Sequence, residues 1–561
     1  MVAASTVGIS RHKADIRFWL FPETITVNKP VGCRPRLHFS TSFDLPTDAE
    51  AVQISAVSKG TTSKAMALRA DTMVNSSSSL RRAAGISIPL LGLLLSGCAV
   101  GPDYMVPHLV LPASWGSSGA ETPARPVELA HWWERLGDKE LNALIEEAVA
   151  GNLDVASAKA KIRTARATAR ETDAALAPSA DGSSSVTRQK SQGAVQTQFK
   201  GGFDSSWELD LFGANARSSE AARYGSQAAE EDLNSVLLTL IGDVASNYVS
   251  ARGYQARMAL ARQTASSQRE TAGLTRKKFE AGSASAVDVS NAEGQAASTE
   301  AKLPDLQTSY AEAVHRLAVL TGRAPSELDA RMQKGGAIPR PRQPVPTGLP
   351  ADVLSNRPDV RQAEREYAQA TAKIGAATAA RYPAISLSGA IATTATSVGD
   401  LGKSSTISWS LGPSLSVPIF NAGKLAAAQE AAEATRDQYF VAYKAAVLGA
   451  LEDVENAIVA FRQERIKNGR LAAATQSYRK ASELAQSLYQ SGSSSFLDVL
   501  DAERSLYSAE DSLLTSTVAI ATNYIALNKA LGGGWDGTVD ASKPEIVDAN
   551  TGPHLRQAAA N

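Results

Sequence analysis

The chain has 561 residues, 43% hydrophobic and 20% charged, and its 57 Lys and Arg equal its 57 Asp and Glu. Zero net charge argues against nucleic acid as a partner, since phosphate binding needs a basic excess. The two cysteines, Cys33 and Cys98, are too few for a disulfide scaffold or a Cys-rich metal site. No apolar run reaches the roughly 18 residues of a spanning helix, which excludes a helical membrane protein but not a β-barrel.

The first element in chain order is a secretory signal. Arg81-Arg82 precedes the apolar stretch Ala83–Leu95 and the small-residue ending Leu95-Ser-Gly-Cys98. That ending resembles a bacterial lipobox, whose cysteine receives lipid and becomes the mature N-terminus. A signal belongs at a chain start, and residues 1–72 carry no periodic pattern. Met73, or else Met66, is therefore expected to be the true start, with 73–97 as signal, Cys98 as the lipid attachment point and 98–137 as an extended tether.

The rest is one unit written twice. Gly282-Ser-Ala-Ser-Ala-Val-Asp288 recurs as Gly492-Ser-Ser-Ser-Phe-Leu-Asp498, a shift of 210, and Asp154-Val155 and Pro178 recur as Asp359-Val360 and Pro383 at a shift of 205. Repeats are expected over 138–334 and 351–534, with 335–350 as linker and 535–561 as a tail. Each copy reads helix, two strands, long helix, shorter helix. In the first copy the expectation is a helix over 139–176 broken near Gly151, strands at 183–191 and 195–211, a helix over 217–281 and a return helix of about 37 residues ending at Leu320. In the second it is 351–381, strands at 384–396 and 405–419, and helices 424–490 and 496–531. Leu233, Val236, Leu237, Leu240, Val244 and Tyr248 mark the apolar stripe of the first long helix.

The strands alternate. In 195–211 one parity carries Val195, Phe199, Phe203, Trp207 and Leu209, and the other Lys200, Asp204, Glu208 and Asp210. In 407–419 Ile407, Trp409, Leu411, Leu415 and Val417 alternate with serines, glycine and proline. Segments this long suit tilted strands crossing a bilayer. Four strands cannot close a barrel, and lipid does not tolerate open edges, so several chains must share one. Two chains would give a barrel filled by side chains. Three would leave a lumen, which is favoured because Lys200, Asp204, Glu208 and Asp210 want water.

Each long helix stops at a glycine, Gly282 or Gly492, placed for a left-handed cap. The next helix opens with Ser285-x-x-Asp288 or Ser495-x-x-Asp498, a capping-box spacing that explains both aspartates structurally. Asp501 has no such explanation, because its counterpart in the first copy is Asn291. Three chains would set three Asp501 carboxylates in a ring, against the plain reading of a solvated helix-face charge. The six histidines lack metal-ligand spacing, and no nucleophile motif, complete P-loop or paired carboxylate site is present, so neither enzyme, metal nor other cofactor beyond the lipid is expected.

Cys98-Ala-Val-Gly-Pro-Asp-Tyr104, His131-Trp-Trp133, Trp207-Glu-Leu-Asp-Leu-Phe-Gly213, Asn356-Arg-Pro-Asp-Val360, Val417-Pro-Ile-Phe-Asn-Ala-Gly423 and Leu500-Asp-Ala-Glu-Arg-Ser-Leu506 together resemble the bacterial outer-membrane factors of tripartite efflux systems, the TolC/NodT-like family. The resemblance covers Cys98–Gly534. It implies an α+β fold: a homotrimer with a twelve-stranded outer-membrane barrel, four strands per chain, on a long α-helical periplasmic barrel with a mixed equatorial girdle. It implies a lipid-anchored duct that exports small molecules with a periplasmic adaptor and an inner-membrane pump of the resistance-nodulation-division type. It also implies that Leu497 and Asp501 line the closed periplasmic aperture. The long N-terminal extension and Ser493-Ser494-Ser495 depart from the family pattern. A protein-secretion duct of the same shape and a non-channel coiled-coil lipoprotein are the alternatives, the first disfavoured by the lipobox.

Overall fold

The computed structural model describes residues 99–116, 129–191, 193–341, 350–537, 539–544, 546–549 and 552–555. The signal, Cys98 and the start at Met73 lie outside the described residues, as do linker residues 342–349.

After a 3-10 turn, Trp132–Leu136, the first copy opens with α1 (Lys139–Gly151) and α2 (Leu153–Ala174). Asp138 caps α1 by accepting from the Glu140 and Leu141 amides, and Asn152 caps α2 by accepting from Asp154 and Val155. The Asn152 amide also donates to the Leu320 carbonyl at 2.9 Å, so the expected break is pinned to a neighbouring helix. Strands β1 (Ser179–Ser191) and β2 (Ala194–Leu209) lead into α3 (Ala214–Glu280), then α4 (Ala286–Glu300) and α5 (Lys302–Leu320). A short 3-10 segment and α6 (Asp329–Met332) close the copy. The second copy runs α7 (Pro350–Asn356), α8 (Pro358–Ala379), β3 (Ala384–Ala395), β4 (Ile407–Ser416), α9 (Lys424–Gln490) and α10 (Phe496–Ala530). The tail adds a hairpin of β5 (Ile546–Ala549) and β6 (Gly552–Leu555), which the sequence reading did not anticipate.

Both long helices have 67 residues, about 100 Å of helix. Several boundaries correct the expectations. The return helix of the first copy is split at Ala301, where Pro304 cannot donate to the Glu300 carbonyl. The second copy has Leu514 at the equivalent place, and α10 runs unbroken for 35 residues. Pro358 likewise splits the helix expected over 351–381. Strand β1 starts four residues earlier than 183, and β4 stops at Ser416, short of Pro418, which has no amide for a ladder.

The four long strands form one antiparallel sheet in the order β1-β2-β3-β4, with β1 and β4 at its edges. The main core joins the copies: Leu237, Ile241, Val244 and Tyr248 of α3 pack with Leu144 and Ile145 of α1, Leu317 of α5 and Tyr524 of α10. Trp132 and Trp133 are buried in the same core. Trp132 donates to the Gly533 carbonyl at 3.2 Å, and Trp133 stacks on Trp535 with ring centroids 6.0 Å apart and planes 5° apart. The His131-Trp-Trp motif thus ties the start of the first copy to the end of the second.

Candidate channel wall and periplasmic tips

Register decides the two faces of the sheet. Phe203 of β2 pairs with Gly182 of β1 and Ile391 of β3, and Ile391 pairs with Trp409 of β4. Leu387 sits between Trp207 and Pro413, and Ile385 between Leu209 and Leu415. Residues directly opposite in a ladder share a face, so the apolar sets of the strands merge into one surface. Phe203, Trp409 and Leu411 are 68, 77 and 68% exposed, far beyond what a water-soluble sheet presents. Such a face is suited to lipid, where the two open edges of the sheet would have to be paired.

The opposite face carries Lys200, Asp204 and Glu208, as expected, together with serines of β3 and β4 and one residue the sequence reading missed. Asp181 lies directly opposite Asp204, and the earlier start of β1 brings it onto the sheet. Asp210 does not extend this face. It lies past Leu209, and its carboxylate accepts from the Ala216 amide at 2.7 Å, so it caps α3.

The foot of the sheet is aromatic. Trp207 donates to the Leu176 carbonyl at 3.0 Å, and Phe212 stacks on Tyr382 at 4.7 Å. The tether is clamped there. The Val100 amide donates to the Phe212 carbonyl at 3.1 Å, and the buried Arg217 donates to the Val100 carbonyl at 3.3 Å and pairs with Asp103 at 2.7 Å. Tyr104 donates to Glu364, and that hydrogen bond follows burial among the causes that push its hydroxyl pKa far up. This accounts for the Gly-Pro-Asp-Tyr run: it holds the residues after Cys98 against the junction of sheet and helices.

At the far ends of the long helices the caps are as expected. Gly282 and Gly492 have φ of 79°, a left-handed conformation that suits glycine. The Ser283 and Ser493 amides donate back to the Lys278 and Leu488 carbonyls at 2.7 and 2.8 Å. The Asp288 and Asp498 carboxylates accept from the Ser285 and Ser495 amides at 3.0 and 3.1 Å. Leu497 and Asp501, one turn apart on α10, are both exposed.

The tips also hold residues the sequence reading passed over. Tyr489 donates to Thr275 at 3.1 Å, and Lys278 donates to the Tyr489 carbonyl with its ammonium 4.0 Å from the ring centroid. These contacts latch α9 to α3. Farther from the tips, a cavity of about 700 Å³ opens between α3, α9 and α10, lined by Gln268, Thr475, Gln486 and Glu503 among others. Glu503 is 9% exposed; burial raises its pKa, opposed by hydrogen bonds from Thr271 and Gln486. The signal for both lies in departures from the repeat, which sets Phe279 opposite Tyr489 and Arg276 opposite Gln486. Among the described residues no group of His, Cys, Asp and Glu could hold a metal, and no helix is long and apolar enough to cross a membrane.

The outer membrane efflux protein family matches residues 144–323 and again 349–533, one match to each copy. The chain belongs to that family. It is 37% identical over 455 residues to Nodulation protein T of Rhizobium leguminosarum bv. trifolii, covering 80% of this chain and 97% of that protein. It is 33% identical over 454 residues to the cation efflux system protein CusC of Escherichia coli O6:H1, covering 79% and 97%. Among solved structures, the outer-membrane channel OprN matches with a TM-score of 0.72 at 34% identity, covering 78% of this chain and all of that one. The chain is therefore an outer-membrane efflux channel component with the α+β outer-membrane-factor fold, reaching from the outer membrane into the periplasm.

Proposed function

We propose that three copies of this chain close a twelve-stranded barrel and form a passive duct, docked to a periplasmic adaptor and an inner-membrane pump of the resistance-nodulation-division type. The observation that carries the reading is the register of the sheet, which merges the apolar positions of four strands into one face and leaves β1 and β4 as edges. A lipid-facing sheet must pair its edges, and three chains of four strands give a wall wide enough for Asp181, Lys200, Asp204 and Glu208 to meet water. Cys98 carries the lipid anchor, and the clamp of Val100, Asp103 and Tyr104 supports this by holding the next residues at the foot of the sheet. No other cofactor is required, and nothing in the fold calls for catalysis.

Leu497 and Asp501 form the periplasmic aperture. Their exposure, one turn apart beside a capped tip, supports a threefold ring, and the remaining function of Gly282, Asp288, Gly492 and Asp498 is to cap those tips. The cargo is small molecules or ions chosen by the pump, because a wide water-filled lumen selects little.

The test is the purified acylated protein in mild detergent and in planar bilayers. A trimer by native mass that conducts ions is the expected result. A monomer that leaves the bilayer electrically silent would overturn the reading.

A further inference from the structure

The charges of the sheet are sorted by sign and face. On the apolar face the charged residues of the four strands are Arg188 and Lys190, both cations, while the opposite face carries Asp181, Asp204 and Glu208 with Lys200. Arg188 pairs with Thr197 and Lys190 with Val195, placing both beside the tip of the β1-β2 hairpin, and both are exposed. No carboxylate shares their face among the described strand residues, and Asp400, in the 3-10 turn of the other hairpin, is paired with Lys403.

Their height follows from the strand. Ten residues separate Trp207, at the aromatic foot, from Thr197. At about 3.3 Å per residue and a tilt of about 40°, that is a rise of ~25 Å. The apolar band of an outer-membrane barrel is about 25 Å tall. Arg188 and Lys190 therefore stand just beyond the band on its outer side, turned toward lipid rather than the lumen. Long cationic side chains there reach the headgroup layer by snorkelling.

We propose that Arg188 and Lys190 form a binding surface for the anionic phosphates of outer-leaflet lipid headgroups, repeated around the barrel rim by each copy of the chain. A guanidinium and an ammonium two residues apart on one strand face suit a headgroup carrying more than one phosphate oxygen, the guanidinium in a two-pronged contact. The proposal rests on the strands being a lipid-embedded wall.

The experiment reconstitutes the full acylated protein in nanodiscs of zwitterionic phospholipid doped with either bisphosphorylated lipid A or its dephosphorylated form. Retained glycolipid is counted by native mass spectrometry. The wild type is expected to retain the bisphosphorylated form over the dephosphorylated one by about tenfold, and R188Q/K190Q to lose that preference. The charge-preserving swap R188K/K190R should keep most of it, which separates charge from a folding defect. Equal retention of both glycolipids by the wild type, or an undiminished preference in R188Q/K190Q, would overturn the proposal. Conductance of the double variant is expected to match wild type, so failure here is distinguishable from failure of the duct reading.

Discussion

Gln486 donates a hydrogen bond to the Glu503 carboxylate at 3.1 Å, in the place where the first copy sets Arg276 against Glu293. The two pairs are related by the 210-residue repeat shift. The neighbouring ion pair Arg269–Glu300 is kept in the second copy as Arg479–Glu510. The two copies thus share one pair and differ at the other, where the copy whose tip carries Leu497 and Asp501 has no cation.

Glu503 should make stability depend on pH. Burial raises its folded pKa above the unfolded value, so the penalty for its charge is absent below the ordinary glutamate range near ~4.3 and grows as pH rises through the folded value. Glu503→Gln is expected to raise the thermal stability of the protein at pH 7.5, with the gain shrinking toward pH 5. Scans of both proteins at the two pH values check this. A less stable variant at pH 7.5 would mean that the hydrogen bonds from Thr271 and Gln486 outweigh the burial cost.

Leu497→Ala and Asp501→Ala should each widen the proposed aperture. Single-channel conductance is expected to rise severalfold, and Asp501→Ala should also weaken cation preference, because it removes the charge that attracts cations. Conductance and selectivity unchanged in both variants would move the constriction elsewhere on α10.

Arg357 ties three elements of the second copy. It pairs with Asp359 at 2.6 Å and Asp453 at 2.9 Å and donates to the Ala530 carbonyl at 3.2 Å. Burial works to raise the Asp359 pKa, but the guanidinium overcomes it and holds the carboxyl below its usual value. That contribution is complete above the ordinary aspartate range and is lost as pH falls through the depressed value. Arg357→Ala is expected to cost about 2 kcal/mol, moderated because both aspartates keep access to water. Denaturant unfolding at neutral pH measures it.

Gly253 of α3 lets Val518 of α10 approach so closely that an added Cβ would clash with the valine. Gly253→Ala should destabilise by about 1–3 kcal/mol through overpacking. Val518→Ala in the same chain should recover most of the loss, whereas additive losses would show that the two positions do not share the space.

Much of the architecture was legible along the chain because it is local and repeated. The alternation of β2 and β4, the caps at Gly282 and Gly492 and the capping boxes at Asp288 and Asp498 each depend on residues within a few positions of one another, and the duplication repeats those same local blocks. The split at Ala301 is local too, because Pro304 marks it. Asp210 was misplaced because strand parity runs on in sequence after the backbone has turned at Leu209.

What only the tertiary structure decided involves partners far apart in the chain. Alternation separates polar from apolar on one strand, but register alone merges four strands into a single face and sets Asp181 against Asp204. Composition marks Glu503 as one carboxylate among many. Its burial against Thr271, 232 residues away, makes it distinctive. The clamp of Arg217 on Val100 and Asp103 and the stacking of Trp133 on Trp535 are of the same kind. Desolvation and pairing between residues distant in the chain depend on which surfaces meet, and no short-range pattern records that.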